Sequence, residues 1–345
     1  MVARRAAAAE EKGTLRLATR GSALALAQAR LVAAMLEQAE PSLEVELVPV
    51  RTSGDERRAR GPADDELGPH TREGRPELAG TAGAPSDKSR FVKEIEEALL
   101  AGDADLAVHS AKDVPGELPD GLAIVGVPAR ADPRDALCGA ASLEALGSDA
   151  RVGTSSLRRR AQLLAARDDL EVVDLRGNVD TRLRRLEDGD FDGIVLARAG
   201  LRRLGRSDGS PIPTALMTPA PGQGCLALEA RADDERAARV AAAITDNPAL
   251  LELTAERAVT ATLGSDCRTP VGARAELTGG DAARLCVETF VGMADGSAWV
   301  RDRLVADASD PRAAGDEAAR RLLAAGSADL LAGAGSAAQR SREGA

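Results

Sequence analysis

The sequence predicts an α/β protein of two lobes followed by a small α+β domain, and three observations support this fold class. The first is the length of 345 residues, which exceeds what one hydrophobic core usually organises. The second is the alternation of short apolar runs with helical periods over 15–18, 22–38 and 45–50, which is typical of βαβ units. The third is the change after about Asn247 to helices flanking three strand-like runs.

The same alternation continues along the chain and predicts each further element. In the two lobes, the predicted helices are 91–100, 156–166, 178–188 and 199–204, and the predicted strands are 105–109, 122–127, 151–153, 171–175 and 193–196. In the C-terminal part, the predicted helices are 248–263 and 311–331, and the predicted strands are 271–277, 285–291 and 298–305. The stretch 55–87 is rich in Gly, Pro and charged residues without periodicity, which predicts an irregular insertion in the first lobe.

Composition argues against several classes of function. A net charge of −10 disfavours bulk attraction to nucleic acid or anionic lipid, and 1% aromatic residues would leave a base-stacking surface without its rings. Apolar runs fall short of the ~20 residues of a membrane span. The four cysteines are widely separated, with no C-x-x-C pair, which fits a reducing cytoplasm better than a disulfide framework or a zinc ribbon. We expect a cytoplasmic monomer with neither nucleic-acid nor membrane partners.

Arginines stand where predicted strands run into predicted helices. Arg158 and Arg159 follow Ser156 in the first turn of a helix, where cations are unfavourable unless an anion lies among them. Arg20 and Arg176 occupy two further turns of the same kind. Because such turns crowd together at the carboxyl edge of an open α/β sheet, we expect these arginines to converge on one cleft.

The type of cation indicates the chemistry of the ligand. A guanidinium offers a planar fork that pairs with carboxylate or phosphate groups. The sequence contains neither a Walker loop nor a G-x-G-x-x-G motif, so a polycarboxylate is favoured over a nucleotide. Arg182 and Arg203 could point into the same cleft, although helical arginines are more often solvated.

Two further residues are candidates for chemistry. Asp113 follows a predicted strand beside Lys112, and such a pair is usually a salt-bridged loop. If Asp113 faces the cationic cleft, the positive charge lowers its pKa and suits it to accept hydrogen bonds and stabilise developing positive charge. Cys267 lies in a turn-rich loop without an obvious packing role, so its thiol is either incidental or chemically used. Cys138, Cys225 and Cys286 are predicted to be core residues.

Several motifs together resemble the porphobilinogen deaminase, or hydroxymethylbilane synthase, family. They run in order along the chain and are ATRGS at 18–22, AVHSAKDVP at 107–115, DPRDA at 132–136, VGTSSLRR at 152–159, LRGNV at 175–179, PGQG at 221–224 and the loop around Cys267. The resemblance extends from about Leu15 to the C-terminal helix. At 86–91 the chain reads SDKSRF, where the family usually shows a run like Gly-Gly-Lys-Gly-Leu-Phe.

This resemblance implies an enzyme that condenses four porphobilinogen molecules head to tail, with loss of ammonia, to give linear hydroxymethylbilane. It implies a dipyrromethane cofactor that Cys267 holds in a thioether. It also implies that Asp113 is the catalytic carboxylate, which accepts hydrogen bonds from pyrrole N–H groups and stabilises the azafulvenium cation. The residues implied to bind the cofactor are Ser22, Lys88, Lys112, Ser156, Arg158, Arg159 and Arg182, with Lys88 in a mobile loop over the site. Those implied to bind the substrate are Arg20, Arg176 and Arg203.

The resemblance also refines the expected architecture and leaves two alternatives open. It implies two periplasmic-binding-protein-like lobes with mixed sheets, over 14–128 with 227–245 and over 129–226, and a cofactor-bearing α+β domain over 246–335. One alternative is a non-catalytic two-lobed protein that binds polycarboxylates. The other is a nucleic-acid binder that uses the arginine-rich helix 156–167.

Overall fold

The computed structural model describes residues 13–50, 89–265, 269–279 and 283–332, and three sheets organise this part of the chain. The insertion 55–87, Lys88 and Cys267 lie outside the described residues. The strands are β1 (Gly13–Arg20), β2 (Leu43–Val50), β3 (Leu106–Ser110), β4 (Leu122–Gly126), β5 (Asp135–Cys138), β6 (Arg151–Gly153), β7 (Glu171–Val173), β8 (Gly193–Ala197), β9 (Ser210–Pro211), β10 (Leu226–Arg231), β11 (Val271–Thr278), β12 (Arg284–Gly292) and β13 (Trp299–Asp307). The helices are α1 (Ala23–Ala39), α2 (Ser89–Ala101), α3 (Leu157–Ala166), α4 (Val179–Glu187), α5 (Arg198–Arg203), α6 (Glu235–Ala242), α7 (Asn247–Thr262) and α8 (Pro311–Ala324).

The first lobe is built on a mixed sheet with the strand order β2-β1-β3-β10-β4. Strand β1 pairs in parallel with β2 and β3, whereas β10 runs antiparallel to both β3 and β4. Helix α1 packs Val32 and Leu36 against Leu15 and Leu17 of β1, all of them fully buried. The chain therefore returns from the second lobe to complete the first.

The second lobe repeats this plan with the order β7-β6-β8-β5-β9. Strand β6 is parallel to β7 and β8, and β5 is antiparallel to β8 and β9. Leu163 of α3 packs with Val152 and Val195 in one core, and Leu183 of α4 packs with Ile194 in another. Parallel strand ends preceding α3 and α4 thus share one edge of the sheet, as they do in the first lobe.

The C-terminal part is an antiparallel sheet, β11-β12-β13, with α7 and α8 packed on it. The two helices approach so closely that a Cβ atom at Gly315 would overlap the carbonyl oxygen of Ala255. The helix predicted over 311–331 is interrupted rather than continuous: α8 ends at Ala324, Gly326 adopts a φ of +93°, and residues 327–332 are helical again. Cys138, Cys225 and Cys286 are buried, as predicted.

The α/β architecture with two mixed-sheet lobes and a small α+β unit agrees with the fold class predicted from the sequence. Each predicted domain range contains the strands of one of the three sheets, except that Gly13 of β1 and Leu226 of β10 lie one residue outside the first range. We propose 14–128 with 227–245, 129–226 and 246–335 as the domain limits on this basis.

Candidate active site

A cavity of about 330 Å³ lies between the two lobes, at the edges where their parallel strands end. The first lobe contributes the end of β1 and the 3-10 turn Ala111–Asp113 that follows β3. The second lobe contributes the starts of α3 and α4 and helix α5. The predicted site residues that line this cavity are Arg20, Ser22, Lys112, Asp113, Ser156, Arg158, Arg159, Arg182 and Arg203.

Three of the helices that begin at this cavity, α1, α3 and α4, begin with a capping side chain. Ser22 Oγ accepts a hydrogen bond from the backbone N–H of Ala25 (3.3 Å) and so caps α1. Ser156 caps α3 through the N–H of Arg159, and Asn178 caps α4. Because backbone N–H groups and the positive ends of helix dipoles gather at helix N-termini, this arrangement favours an anionic ligand.

Side-chain charge acts in the same direction. Among the described residues, six cationic side chains line the cavity, namely Arg20, Lys112, Arg158, Arg159, Arg182 and Arg203. In the same part of the chain, the carboxylates that line it are those of Asp113 and Asp180. The excess of positive charge fits a ligand that carries several carboxylate groups.

Arg158 and Arg159 line the cavity, and both form ion pairs with a buried carboxylate that was not among the predicted site residues. Asp135, fully buried at the start of β5, lies 2.8 Å from Arg158 Nη2 and 2.8 Å from Arg159 Nη2. Burial alone would raise the pKa of Asp135, but the two guanidinium groups and a hydrogen bond from Gln223 lower it to about 2. Two buried cations require such compensation, since an unpaired buried charge costs several kcal/mol.

Compensation of the positive charge is nonetheless incomplete. Burial lowers the pKa of Arg158 in spite of Asp135, and its buried Nε has no hydrogen-bond partner. Burial also lowers the pKa of Arg203, whose Nη2 donates to the neutral carbonyl oxygen of Gly224 at 2.6 Å. An anionic ligand in the cavity would offset both effects, so the donor set fits a group rich in carboxylates.

Burial also bears on the nucleic-acid alternative. Arg158 and Arg159 are 4% and 6% exposed, so α3 does not present them on a surface that a nucleic acid could contact.

Arg176 is not among the residues that line the cavity. Its side chain is 82% exposed, and its Nε lies 2.9 Å from Asp174 Oδ2, two residues away. The expected convergence of three strand-to-helix turns is therefore seen for Arg20 and for the Arg158–Arg159 pair. At the third turn it is Arg182 that reaches the cavity, where its Nε donates to the carbonyl oxygen of Gly177.

Asp113 owes its place to the register of the first sheet. Strand β3 is parallel to β1, so the turn that follows β3 and Arg20 at the end of β1 reach the same sheet edge. Lys112 Nζ lies 3.4 Å from Oε1 of Gln223, which belongs to the segment that returns to the first lobe. Asp113 is half-buried beside the cations that line the cavity.

Several residues of the cavity wall or its support were not predicted from the sequence. They are Gln28, Ser110, Asp135, Asn178, Asp180 and Gln223. Asp135 had one available signal, a carboxylate at the start of an apolar strand that needs a cationic partner. The sequence could not identify that partner, because it lies on a helix two dozen residues further along the chain.

Comparison with known proteins assigns this architecture to a family. The family model described as "Porphobilinogen deaminase, dipyromethane cofactor binding domain" matches residues 15–239, and "Porphobilinogen deaminase, C-terminal domain" matches residues 250–324. The chain belongs to the porphobilinogen deaminase family. It is accordingly a transferase of porphyrin biosynthesis, and its two lobes form the cofactor-binding domain.

Individual porphobilinogen deaminases match over nearly their whole length. The protein of that name from Roseiflexus sp. (strain RS-1) is 46% identical over 327 residues, covering 93% of this chain and 100% of that protein. The one from Thermus thermophilus is 43% identical over 319 residues, covering 91% of this chain and 97% of that protein.

Among solved structures, one match is a putative methionine-binding lipoprotein from Bacillus subtilis subsp. subtilis str. 168. It has 11% identity and a TM-score of 0.39, and the match covers 68% of this chain and 92% of that one.

Within the described part of this chain, no helix has the length and apolarity that crossing a membrane requires.

Proposed function

We propose that this chain is a hydroxymethylbilane synthase that joins four porphobilinogen molecules head to tail in the cavity between its lobes. The observation that carries the proposal is the meeting of six cationic side chains from both lobes around one cavity with Asp113. Each pyrrole unit brings two carboxylates, so a growing chain needs many cationic partners in one place. A purely carboxylate-binding protein is not favoured, because the matched relatives are named as deaminases.

Asp113 is the proposed catalytic carboxylate. Beside an excess of cations its carboxylate is kept ionised, so it accepts a hydrogen bond from a pyrrole N–H rather than donating a proton. When ammonia leaves the substrate, positive charge develops on the pyrrole and its methylene carbon. A fixed carboxylate at that position stabilises this charge without reorganisation, which is the general way that preorganised charges lower a barrier.

The cationic side chains are proposed to hold the substituents of the pyrroles. Arg158, Arg159 and Arg182, with Lys112 and the capping hydroxyls of Ser22 and Ser156, would neutralise the carboxylates of the dipyrromethane. Arg20 and Arg203 would bind those of the incoming substrate. Arg176 joins them only if it leaves Asp174, which costs little because an exposed ion pair is weak.

Cys267 is proposed to hold the dipyrromethane in a thioether, with Lys88 covering the site; both residues lie outside the described part of the chain. When bound, the dipyrromethane supplies the nucleophilic pyrrole carbon to which the first substrate is joined. The task of the surrounding residues is to fix its carboxylates and keep it in register with Asp113.

We also propose that the two lobes move apart about the segments joining them as the product lengthens. The protein is further proposed to act as a cytoplasmic monomer.

The direct test incubates the purified protein with porphobilinogen and measures its consumption and the uroporphyrin I formed after acid and air. We expect Asp113→Ala to abolish turnover because an alanine side chain cannot balance the developing positive charge. Asp120→Ala, an exposed change in the same loop region, is the control and should retain the wild-type rate. Consumption of porphobilinogen by Asp113→Ala near the wild-type rate would refute the assigned role.

The cofactor assignment has a test that does not depend on turnover. Intact-mass measurement should find the purified chain heavier than its sequence by one dipyrrole, and Cys267→Ser should lose that added mass. Cys286→Ser, which changes a buried thiol of the C-terminal sheet, should keep it. An unmodified wild-type mass, or an added mass that survives in Cys267→Ser, would contradict attachment at this residue.

A further inference from the structure

The second lobe returns to the first through a tight turn that carries Gln223. Gly222 and Gly224 flank this residue with φ values of +73° and +93°, a region that favours glycine. A Cβ atom at Gly222 would lie 2.9 Å from the backbone N of Lys112, and one at Gly224 would overlap the carbonyl oxygen of Ala131. The turn is therefore wedged between the Ala111–Asp113 turn of the first lobe and the chain leading into the second.

The side chain of Gln223 is 1% exposed and uses both ends of its amide. Its Nε2 donates to Asp135 Oδ1 at 3.0 Å and to the carbonyl oxygen of Pro133 at 2.7 Å. Its Oε1 accepts from Lys112 Nζ at 3.4 Å. One buried amide thus joins groups on both sides of the cavity.

The groups that Gln223 joins are those next to the reacting centre. Lys112 directly precedes Asp113 in the 3-10 turn. Asp135 is the carboxylate that fixes Arg158 and Arg159 under the opposite wall. The backbone of Gln223 is anchored as well, because its carbonyl oxygen accepts from Arg130 Nη2 at 3.0 Å.

We propose that Gln223 is a positioning residue that fixes the Lys112–Asp113 turn of the first lobe relative to the Asp135–Arg158–Arg159 cluster of the second. The inference rests on the proposed function of the cavity. Substrate carboxylates held by the arginines bring the pyrrole to a defined place, and Asp113 must stand at hydrogen-bond distance from it. An amide bonded to both sides keeps these two positions in register, and errors of about 1 Å in such a register cost about a hundredfold in rate.

The first test replaces Gln223 with methionine, which keeps the volume of the side chain and removes its hydrogen bonds. We expect kcat for porphobilinogen consumption to fall about tenfold to a hundredfold, with a smaller change in KM because the carboxylate-binding side chains remain. The matched control is Thr289→Val. Thr289 is fully buried in β12 of the C-terminal sheet, where its Oγ1 donates to the carbonyl oxygen of Asp302 at 3.4 Å, and it is not among the residues that line the cavity. Its replacement should lower Tm and leave kcat near the wild-type value.

A second variant has a readout that a merely structural role would not move. In Gln223→Glu, a protonated carboxyl can still donate to Asp135 and accept from Lys112, whereas an ionised one cannot donate and repels Asp135. The ratio of its kcat to the wild-type kcat should therefore rise at least fivefold between about pH 9 and about pH 6. Because the test is the change of this ratio with pH in a variant other than Gln223→Met, it decides the question even if Gln223→Met folds poorly.

The outcomes separate this inference from the proposed function. A wild-type protein that does not consume porphobilinogen refutes the function itself. A wild-type protein that turns over, with Gln223→Met at the wild-type kcat, overturns only the positioning role. A loss of kcat in Gln223→Met that Thr289→Val reproduces, together with a flat pH ratio for Gln223→Glu, also overturns it.

Discussion

Replacing Asp135 with asparagine tests whether the anion-binding wall depends on a buried counter-charge. The carboxylate pairs with Arg158 and Arg159, and asparagine keeps its shape while removing its charge. A pKa lowered from 3.8 to about 2 corresponds to an interaction of about 2 kcal/mol in favour of the ionised form. This stability is present above about pH 4 and is lost as pH falls through the folded pKa.

The variant should lose more than this amount, because it also leaves two buried cations with only neutral partners. Breaking a buried ion pair by removing one member costs about 3–5 kcal/mol, and we expect a loss in that range for Asp135→Asn. For domains of this size it corresponds to a fall in Tm of roughly 6–20 °C. Urea unfolding at neutral pH and scanning calorimetry measure the two quantities.

A neighbouring carboxylate supplies the control. Asp132 pairs with Arg134 and Arg198, but these groups are closer to water, with 19% of the Asp132 side chain exposed. We expect Asp132→Asn to cost about 1 kcal/mol or less. If Asp135→Asn loses less than about 1 kcal/mol, or no more than Asp132→Asn, the reasoning from buried charge is refuted.

Two further predictions concern charge at other places. Arg203→Leu removes a cation that lines the cavity, so it should raise KM for porphobilinogen about tenfold to a hundredfold in steady-state kinetics. The control is Arg202→Leu, which changes an exposed neighbour and should alter KM little. Equal effects of the two changes on KM would argue against substrate binding by Arg203. Burial and the charge of Glu229 raise the pKa of Glu96 from 4.5 to about 7, so the folded state retains a proton that the unfolded chain releases, and stability falls as pH rises through this interval. Glu96→Gln should therefore be about 1–2 kcal/mol more stable than wild type at pH 8 and similar to it at pH 5 by urea unfolding, and a gain of equal size at both values would contradict the assigned cause.

Local signals predicted the parts of the site that depend on the chain near each residue. Ser22, Ser156 and Asn178 are good N-caps, and the apolar runs before them are strands, so each turn lies at the end of a parallel strand: Ser22 in the first sheet, Ser156 and Asn178 in the second. The parallel register of β1 with β3 then brings Asp113 to the same edge as Ser22.

What the sequence did not predict depends on contacts between distant segments or on a choice between equivalent partners. Arg176 faces Asp174 rather than the cavity, and no pattern in the chain distinguishes it from Arg182, which does line the cavity. Asp135 and Gln223 could not be assigned because their partners lie on other elements. The break in the C-terminal helix at 325–326 is a local miss, since Gly326 was available as a stop signal within the Ala-rich run.

The place of β10 inside the first sheet has a consequence for how the protein forms. This strand separates β3 from β4, with Leu226 opposite Ser110 and Leu228 opposite Gly126. During synthesis on the ribosome, the first lobe cannot complete its sheet until the second lobe has been made, because β10 follows the second lobe in the chain. Until then, β3 and β4 lack the strand that pairs with both of them. Such late pairing of remote segments slows folding and exposes unpaired strand edges to other chains. The second lobe has no such dependence, since its strands are contiguous along the chain, and it should be the first part to reach its native structure during synthesis.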